Sequence, residues 1–183
     1  MIDNLLFSAI GLISFESLIS SVNYLLAMAK VTVVGAIGLF DIEELKMKLQ
    51  EIGILGIDPE MVCGKDHLIS AAECAMKAFT SKRNACSTLA METMLYASGE
   101  RQISKAADKM GIKSNNAVAL VIFNEKTEGI LSRLNLKQDD SILEPSEEKM
   151  IRFGISENEL RSIPEDKKYD LILEHVAFAS LKK

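Results

Sequence analysis

One uninterrupted apolar segment constrains the fold of this chain more than any other feature. Residues 117–123 read AVALVIF, with no polar residue among them. A run this short, and rich in β-branched residues, predicts a central strand that is covered on both faces of its sheet. Residues 31–39, VTVVGAIGL, have the same character and predict a second buried strand. These two segments are the basis for a sheet in the predicted fold.

Capping residues and amphipathic spacing predict helices around these strands. Asp41 and Glu44 form a capping-box pattern for a helix that ends near Gly53. Asp66 and Asn84 are predicted N-caps of the next two helices. The later predicted helices cover about 67–79, 85–98, 102–110 and 167–181, with short ones after Ser146 and Ser156. Segments 55–64 and 129–143 leave room for one or two more strands. We therefore expect one α/β domain, a mixed β-sheet packed with several α-helices.

The length and the two ends of the chain bear on its domain organisation. At 183 residues, one domain is the default. Residues 4–28 are largely apolar, but Glu16 interrupts them and no Lys or Arg precedes Lys30, so neither a signal peptide nor a membrane span is favoured. We treat 1–27 as an N-terminal extension and 28–183 as the domain. Three widely spaced cysteines indicate reduced thiols and a cytoplasmic protein.

No recognisable catalytic constellation is present in the sequence. The two histidines, His67 and His175, have no neighbour at metal-ligand spacing. No glycine-rich phosphate loop follows a strand, and no G-x-S-x-G element occurs. We therefore expect no enzymatic activity, no metal and no cofactor, and a small-molecule enzyme of unrecognised type is the weakest alternative.

Helix 67–79 is apolar over most of its circumference. Its polar residues Ser70, Glu73 and Lys77 form one narrow stripe. A helix that contacts a core on one side needs a much narrower apolar arc. Two interpretations stay open: the helix is buried on several sides, or it presents a second apolar face to a partner.

A DNA-binding helix-turn-helix is the alternative function. Residues 101–118 contain an A-x-x-x-G pattern, and Ser114 would start a second helix. The candidate recognition helix would contain AVALVIF, which has no base-reading side chains. The net charge of −5 also argues against a DNA-binding domain, because such domains are usually basic. A strand at 117–123 would remove this alternative.

Several of these segments resemble a known family. They are HLISAAECAMKAF at 67–79, RNACSTLAMETMLYASGERQISKAADKMGIK at 83–113, and AVALVIF at 117–123. Together they resemble the kinase-binding subunit of the KEOPS complex, the TPRKB family. The core motif E-x-x-L-Y-x-S-G-x-R-Q-I is carried by Glu92, Leu95, Tyr96, Ser98, Gly99, Arg101, Gln102 and Ile103. The resemblance covers about residues 29–124 well and the C-terminal part loosely.

The resemblance implies a function in tRNA modification. KEOPS installs threonylcarbamoyl on an adenosine beside the anticodon, and its other subunits carry out the chemistry. The subunit that this chain resembles is an α/β protein without catalytic activity. It binds and supports a small kinase that acts as an ATPase, reaches the other KEOPS subunits through that kinase, and helps to recruit the single-stranded CCA tail of tRNA. The resemblance implies no membrane partner and no DNA partner.

Two sets of candidate site residues follow from the sequence and the resemblance together. The small and apolar side chains of helix 67–79, with part of helix 167–181, are the candidate kinase interface: Leu68, Ala71, Ala72 and Ala75. Cationic and polar residues near the predicted helix ends are the candidate tRNA site: Lys65, His67, Lys82, Arg83, Asn84, Arg101 and Gln102. We further expect Glu92 to form an ion pair with Arg101, because a carboxylate near a core needs a cation or backbone donors.

Overall fold

The computed structural model describes residues 30–181, which form one four-stranded sheet with helices on both faces. The strand order is β2-β3-β1-β4. The strands are β1 (Val31–Ile37), β2 (Leu55–Ile57), β3 (Ala117–Phe123) and β4 (Lys137–Gln138). The predicted α/β class is confirmed, and AVALVIF is an inner strand of the sheet.

The sheet pairings are all antiparallel, which corrects the expectation of a mixed sheet. β3 begins at the end of the sheet where β1 finishes. The Gly38 N–H donates to the Asn116 carbonyl over 3.0 Å, so residues just after β1 bond to residues just before β3. β3 must then run back along β1, with Val31 opposite Phe123 and Ile37 opposite Ala117.

Eight α-helices surround this sheet in the described part of the chain. They are α1 (Ile42–Glu51), α2 (Lys65–Thr80), α3 (Leu89–Ser98), α4 (Ile103–Met110), α5 (Thr127–Leu134), α6 (Glu147–Phe153), α7 (Glu157–Ser162) and α8 (Asp170–Leu181). Short 3-10 turns cover Pro59–Met61, Asp140–Leu143 and Glu165–Lys167. Asp41 caps α1, Ser146 caps α6, and Ser156 forms the predicted capping box at α7.

Alternate side chains of the strands contribute to two cores. On one face, Val33, Ala119 and Val121 pack with α2, α4, α6 and α8. On the other face, Val34, Leu120 and Ile122 pack with α1 and α5. The period of two along each strand therefore explains why continuous apolar runs are needed here: both faces of the inner strands are covered.

Two predicted N-caps are wrong. The helix expected at 67–79 begins at Lys65 with Gly64 as its N-cap, so Asp66 lies in the first turn. The helix expected at 85–98 begins at Leu89, where the Thr88 hydroxyl accepts the Met91 N–H. Its predicted cap Asn84 donates instead to the Cys86 carbonyl over 3.0 Å. The Ala85 and Cys86 N–H groups both bond to the Glu92 carboxylate, so this segment is held as a loop rather than as a helical turn.

The C-terminal helix is shorter than expected, and the helix-turn-helix is wrong. Helix α8 starts at Asp170 rather than near Lys167, because the 3-10 turn precedes it. Residues 117–123 form a strand, so no second helix follows α4 and the segment has no recognition helix. The proposed extension, residues 1–27, lies outside the described residues.

Candidate functional site

Helix α2 is covered by its own chain. Its neighbours include α3, α8, β1 and β3. The predicted kinase-interface residues lie on the covered side, each with an exposed fraction of 0%: Leu68, Ala71, Ala72 and Ala75. Of the two interpretations of this helix, burial on several sides is the one that the structure has. These four side chains are core and offer no accessible surface, which corrects their assignment to an interface.

The predicted polar stripe of α2 is its exposed side. Glu73 and Lys77 are exposed and Ser70 is half-buried. Accessible apolar side chains lie instead on the two helices that cover α2. Phe178 of α8 is 53% exposed, and Met91 of α3 is 40% exposed. Helix α8 packs against both α2 and α3, so α3 and α8 are neighbouring helices, and each carries one of the exposed apolar side chains.

His67 is a buried structural residue, which corrects its assignment to the tRNA site. Its exposed fraction is 0%. Nδ1 accepts the Cys63 N–H over 3.3 Å, and Nε2 lies 2.9 Å from the Ala97 carbonyl. Nε2 therefore carries the proton and donates to that carbonyl, so both ring nitrogens are used. Burial lowers the pKa of His67 to about 4, which keeps the ring neutral.

Lys65 is an exposed residue in the first turn of α2. Its ammonium group pairs with Asp140 over 2.6 Å, beside a cleft of about 250 Å³ that Tyr169 also lines. Asp140 also accepts the Gly35 N–H over 2.9 Å. Although partial burial works in the opposite direction, the hydrogen bonds from Lys65, Gly35 and Gln138 lower the pKa of Asp140. Lys65 is therefore exposed but paired with a carboxylate of its own chain.

The segment after α2 presents three predicted residues to solvent. Lys82, Arg83 and Asn84 are all exposed. Lys82 adopts a left-handed backbone conformation (φ 56°), and the Arg83 N–H donates to the Ala78 carbonyl over 2.8 Å, which ends the helix. This loop is thereby held against the end of α2 rather than extended into solvent.

The buried carboxylate of Glu92 fixes the following residues. Its Oε2 accepts the N–H groups of Ala85 and Cys86 over 2.9 and 2.8 Å. Its donors are therefore backbone amides, not the Arg101 guanidinium that the sequence suggested. Since Glu92 is fully buried, these donors compensate for the loss of its hydration.

A cleft of about 360 Å³ lies at the turn between α3 and α4. Its lining residues are Gly99, Glu100, Arg101, Gln102 and Lys105. Gln102 is the N-cap of α4 but makes no side-chain cap. Within the described residues, Arg101 and Lys105 form no ion pair. Two unpaired cations beside a helix N-terminus create positive potential at this cleft.

A small apolar cluster connects the cleft to the loop after α2. Cys86, Leu95 and Ala106 form this cluster, and Ile103 packs against it. Cys86 follows the loop 82–84, and Ile103 follows Arg101 and Gln102, so two of the predicted groups meet around one cluster. Six of the seven predicted tRNA residues are exposed, and His67 is buried; the six are Lys65, Lys82, Arg83, Asn84, Arg101 and Gln102.

Sequence reasoning missed Glu100, Met91 and Phe178. Glu100 stands inside the E-x-x-L-Y-x-S-G-x-R-Q-I motif at an unspecified position, so the motif gave no reason to select it. The exposure of Met91 and Phe178 depends on which side of each helix the rest of the chain covers, and no local pattern contains that information.

Residues 30–181 contain neither a candidate membrane span nor a candidate metal site. No helix in that range is both long and apolar enough to span a bilayer. In the same range, no group of three or more His, Cys, Asp and Glu side chains has the arrangement of a metal site.

Comparison with known proteins identifies the family. The model of the family described as kinase binding protein CGI-121 matches residues 41–164, well over half of the 183 residues. No curated protein matches the chain. The matched range runs from the N-cap of α1 to the end of α7 and includes the whole cleft at the α3–α4 turn. This chain therefore belongs to the CGI-121 family of kinase binding proteins.

Proposed function

We propose that this protein is the non-catalytic KEOPS subunit that binds and supports the small kinase/ATPase of the complex. In this role it also recruits the CCA tail of tRNA for threonylcarbamoyladenosine modification in the cytoplasm. The observation that carries the proposal is the family match over residues 41–164, whose description is kinase binding. The resemblance of the E-x-x-L-Y-x-S-G-x-R-Q-I segment to the KEOPS subunit supports the more specific role.

The kinase would dock on the face formed by α3 and α8. This face offers accessible apolar area at Met91 and Phe178, whereas the side chains of α2 beneath it are already in contact with their own chain. Large exposed apolar side chains that lie on neighbouring helices are typical of partner-binding surfaces. The interface therefore includes α8, as the sequence analysis expected. It includes the outer side of α3 instead of the buried side chains of α2.

Substitution of Phe178 by glutamate tests this interface. A charge placed in an apolar interface loses its hydration without gaining a partner, so Phe178→Glu should weaken capture of the purified kinase by at least about 100-fold. Binding can be measured by surface plasmon resonance with the immobilised kinase. Because Phe178 is about half exposed, the thermal midpoint should change little.

Leu39→Glu is the matched control. Leu39 is 85% exposed and precedes α1, which packs on the opposite face of the sheet. The Leu39→Glu substitution introduces the same charge at an exposed apolar position and should leave the kinase affinity unchanged. Equal loss of affinity in both variants, or wild-type affinity in Phe178→Glu, would contradict the α3–α8 interface.

The tRNA tail would bind along the loop 82–84 and the α3–α4 cleft. The whole chain carries a net charge of −5, so phosphate binding depends on a local concentration of cations. Lys82, Arg83, Arg101 and Lys105 supply that concentration. Arginine can also stack on unpaired bases, which suits a single-stranded tail.

Arg83→Glu tests the tRNA site. The Arg83 side chain is exposed and donates to the Ser81 hydroxyl over 3.2 Å, so reversal of its charge should not alter the melt. It should weaken tRNA binding and reduce the slope of log affinity against log salt by about one. Removal of the CCA tail should have a similar effect, and the two losses should not add.

Arg133→Glu provides the control for charge. Arg133 is exposed on α5, which packs on the opposite face, and the substitution changes the net charge equally. If Arg133→Glu weakens tRNA binding as much as Arg83→Glu does, attraction is by net charge alone. If Arg83→Glu binds intact and tailless tRNA as the wild type does, the tail is bound elsewhere.

A further inference from the structure

The cleft at the α3–α4 turn contains a carboxylate that a simple phosphate site would not need. Glu100 lines the cleft together with two cations, Arg101 and Lys105. Its carboxylate makes no ion pair and accepts no hydrogen bond within the described residues. Burial lowers the pKa of Lys109, and the charge of Glu100 acts on that pKa in the opposite direction, so Lys109 is the cation in its electrostatic surroundings, but the two groups form no direct contact. An acid in a phosphate site repels the ligand. The cleft is therefore suited to a ligand that has an anionic group at one end and hydroxyl donors at the other.

A 3′-terminal ribonucleotide has this distribution of groups. Its 5′-phosphate is anionic, and its ribose carries adjacent 2′- and 3′-hydroxyls, which are both donors. A carboxylate accepts two hydrogen bonds at once, and acidic side chains bind ribose hydroxyls in dinucleotide-binding folds in this way. An internal nucleotide has a phosphate in place of the free 3′-hydroxyl, and Glu100 would repel it.

The size and the polarity of the cleft agree with one nucleotide. Its volume of about 360 Å³ is at the lower end of the range of about 300–1,000 Å³ for small-molecule sites. Arg101, Lys105 and the N-terminal amides of α4 lie together beside the acid, because Gln102 begins an eight-residue helix without a side-chain cap. These groups can hold the 5′-phosphate while Glu100 faces the ribose.

We propose that Glu100 binds the 2′,3′-diol of a 3′-terminal ribose, so that the cleft selects RNA ends with a free diol over ends that carry a 3′-phosphate. This inference rests on the proposed recruitment of a tRNA tail and adds to it a residue that determines specificity. It assigns the cations to the phosphate and the carboxylate to the sugar.

The test uses the full chain and one fluorescent hairpin RNA with a single-stranded CCA overhang. The overhang ends in a free diol, in a 3′-phosphate or in a 3′-deoxyribose, and binding is followed by fluorescence anisotropy at one salt concentration. The wild type should bind the diol end at least about tenfold more tightly than the phosphate end, because two hydrogen bonds to a charged group are exchanged for repulsion. The 3′-deoxy end should bind with an intermediate affinity.

Glu100→Gln should reduce this discrimination to about twofold or less, mainly because the phosphate end binds better once the repulsion is removed. Glu73→Gln on the exposed stripe of α2 makes the same change in net charge and should keep the full discrimination. Equal binding of the diol and phosphate ends by the wild type would overturn the inference, as would full discrimination by Glu100→Gln. Equal binding of the hairpin with and without its overhang would instead contradict the recruitment of the tail itself.

Discussion

His67 joins three segments of the chain through one neutral ring. The ring accepts the Cys63 N–H, donates to the Ala97 carbonyl at the end of α3, and lies edge-on to Phe153 of α6, with 5.2 Å between ring centroids. A protonated ring would have no acceptor for its second N–H, because the Cys63 amide is itself a donor. The fold therefore requires the uncharged form of His67.

The neutral ring predicts a loss of stability in mild acid. The pKa of His67 is about 4 in the folded protein and about 6.5 when unfolded, so between these values the unfolded chain binds more protons. The free energy of unfolding should fall as the pH drops from about 6.5 to 4, by about 3 kcal/mol in total, with no contribution from His67 above pH 7. Urea unfolding at a series of pH values measures this loss.

The control is His67→Gln, which cannot titrate. It should be less stable than the wild type at pH 7, because its amide does not reproduce both ring hydrogen bonds, but its stability should depend less on pH between 4 and 6.5. His175 and the carboxylates are common to both proteins, so the difference between the two pH profiles isolates His67. Parallel profiles would contradict its burial in the neutral form.

The sequence identified which single residues need partners better than it identified the partners. Glu92 was expected to need a cation or backbone donors, and the donors are the amides of Ala85 and Cys86, seven and six residues earlier. Arg101, only nine residues away, seemed equally suitable. The choice depends on how the loop 81–88 folds back over α3, and no periodic pattern encodes that path.

At the scale of elements, the sequence pattern located the two inner strands, β1 and β3, and most helices correctly, whereas the short β2 and β4 lie in the two segments that were left open for further strands. The first residues of α2 were less predictable, because their partner comes from the far end of the chain. The Tyr169 hydroxyl accepts the His67 N–H over 3.1 Å, and a Cβ on Gly64 would meet that oxygen at 2.5 Å. Gly64, at φ 93°, is therefore the N-cap that lets Tyr169 approach. Asp66 has the better local propensity for the cap, but tertiary contact decides the position.

Helix α2 illustrates why a core and an interface have the same sequence pattern. When the apolar surface of a helix is too wide to be buried by one packing contact, a second element must pack on it. That element can belong to another chain or to a later part of the same chain. Here Ile172 and Val176 of α8 supply it, about 100 residues further on. The interface that we propose therefore lies on the outer sides of α3 and α8, which the local pattern of α2 could not indicate.

At the scale of the whole molecule, two surfaces of different character lie on the helices of one sheet face. The apolar surface at Met91 and Phe178 and the cationic cleft beside Arg101 both involve α3 or its ends. The proposed RNA binding by a protein of net charge −5 requires a local excess of cations. Within residues 30–181, Arg101 and Lys105 at the cleft form no ion pair, whereas six other cations do: Lys46, Lys48, Lys65, Arg152, Arg161 and Lys168.

The extent of the folding unit leads to a prediction for the N-terminus. We propose that residues 28–183 are the domain and that 1–27 are an extension to it. Within residues 30–181, the buried members of both large cores run from Val33 onwards, and the first strand is fixed at its start by Lys30, whose N–H donates to the Asn124 amide oxygen over 3.0 Å. The family match begins later still, at residue 41.

A chain that begins at Met28 should therefore fold and bind the kinase as the full chain does. Its thermal midpoint should lie within about 3 °C of the full chain, since for a protein of this size such a shift corresponds to roughly 1 kcal/mol. Its affinity for the kinase in surface plasmon resonance should be unchanged, and removal of the apolar residues 4–27 should reduce self-association in analytical ultracentrifugation.

A fall of about 10 °C in the thermal midpoint would mean that residues 1–27 pack on the domain and contribute to its core. A normal midpoint with weakened kinase binding would instead make the extension part of the kinase interface, and either outcome would replace Met28 as the boundary of the domain.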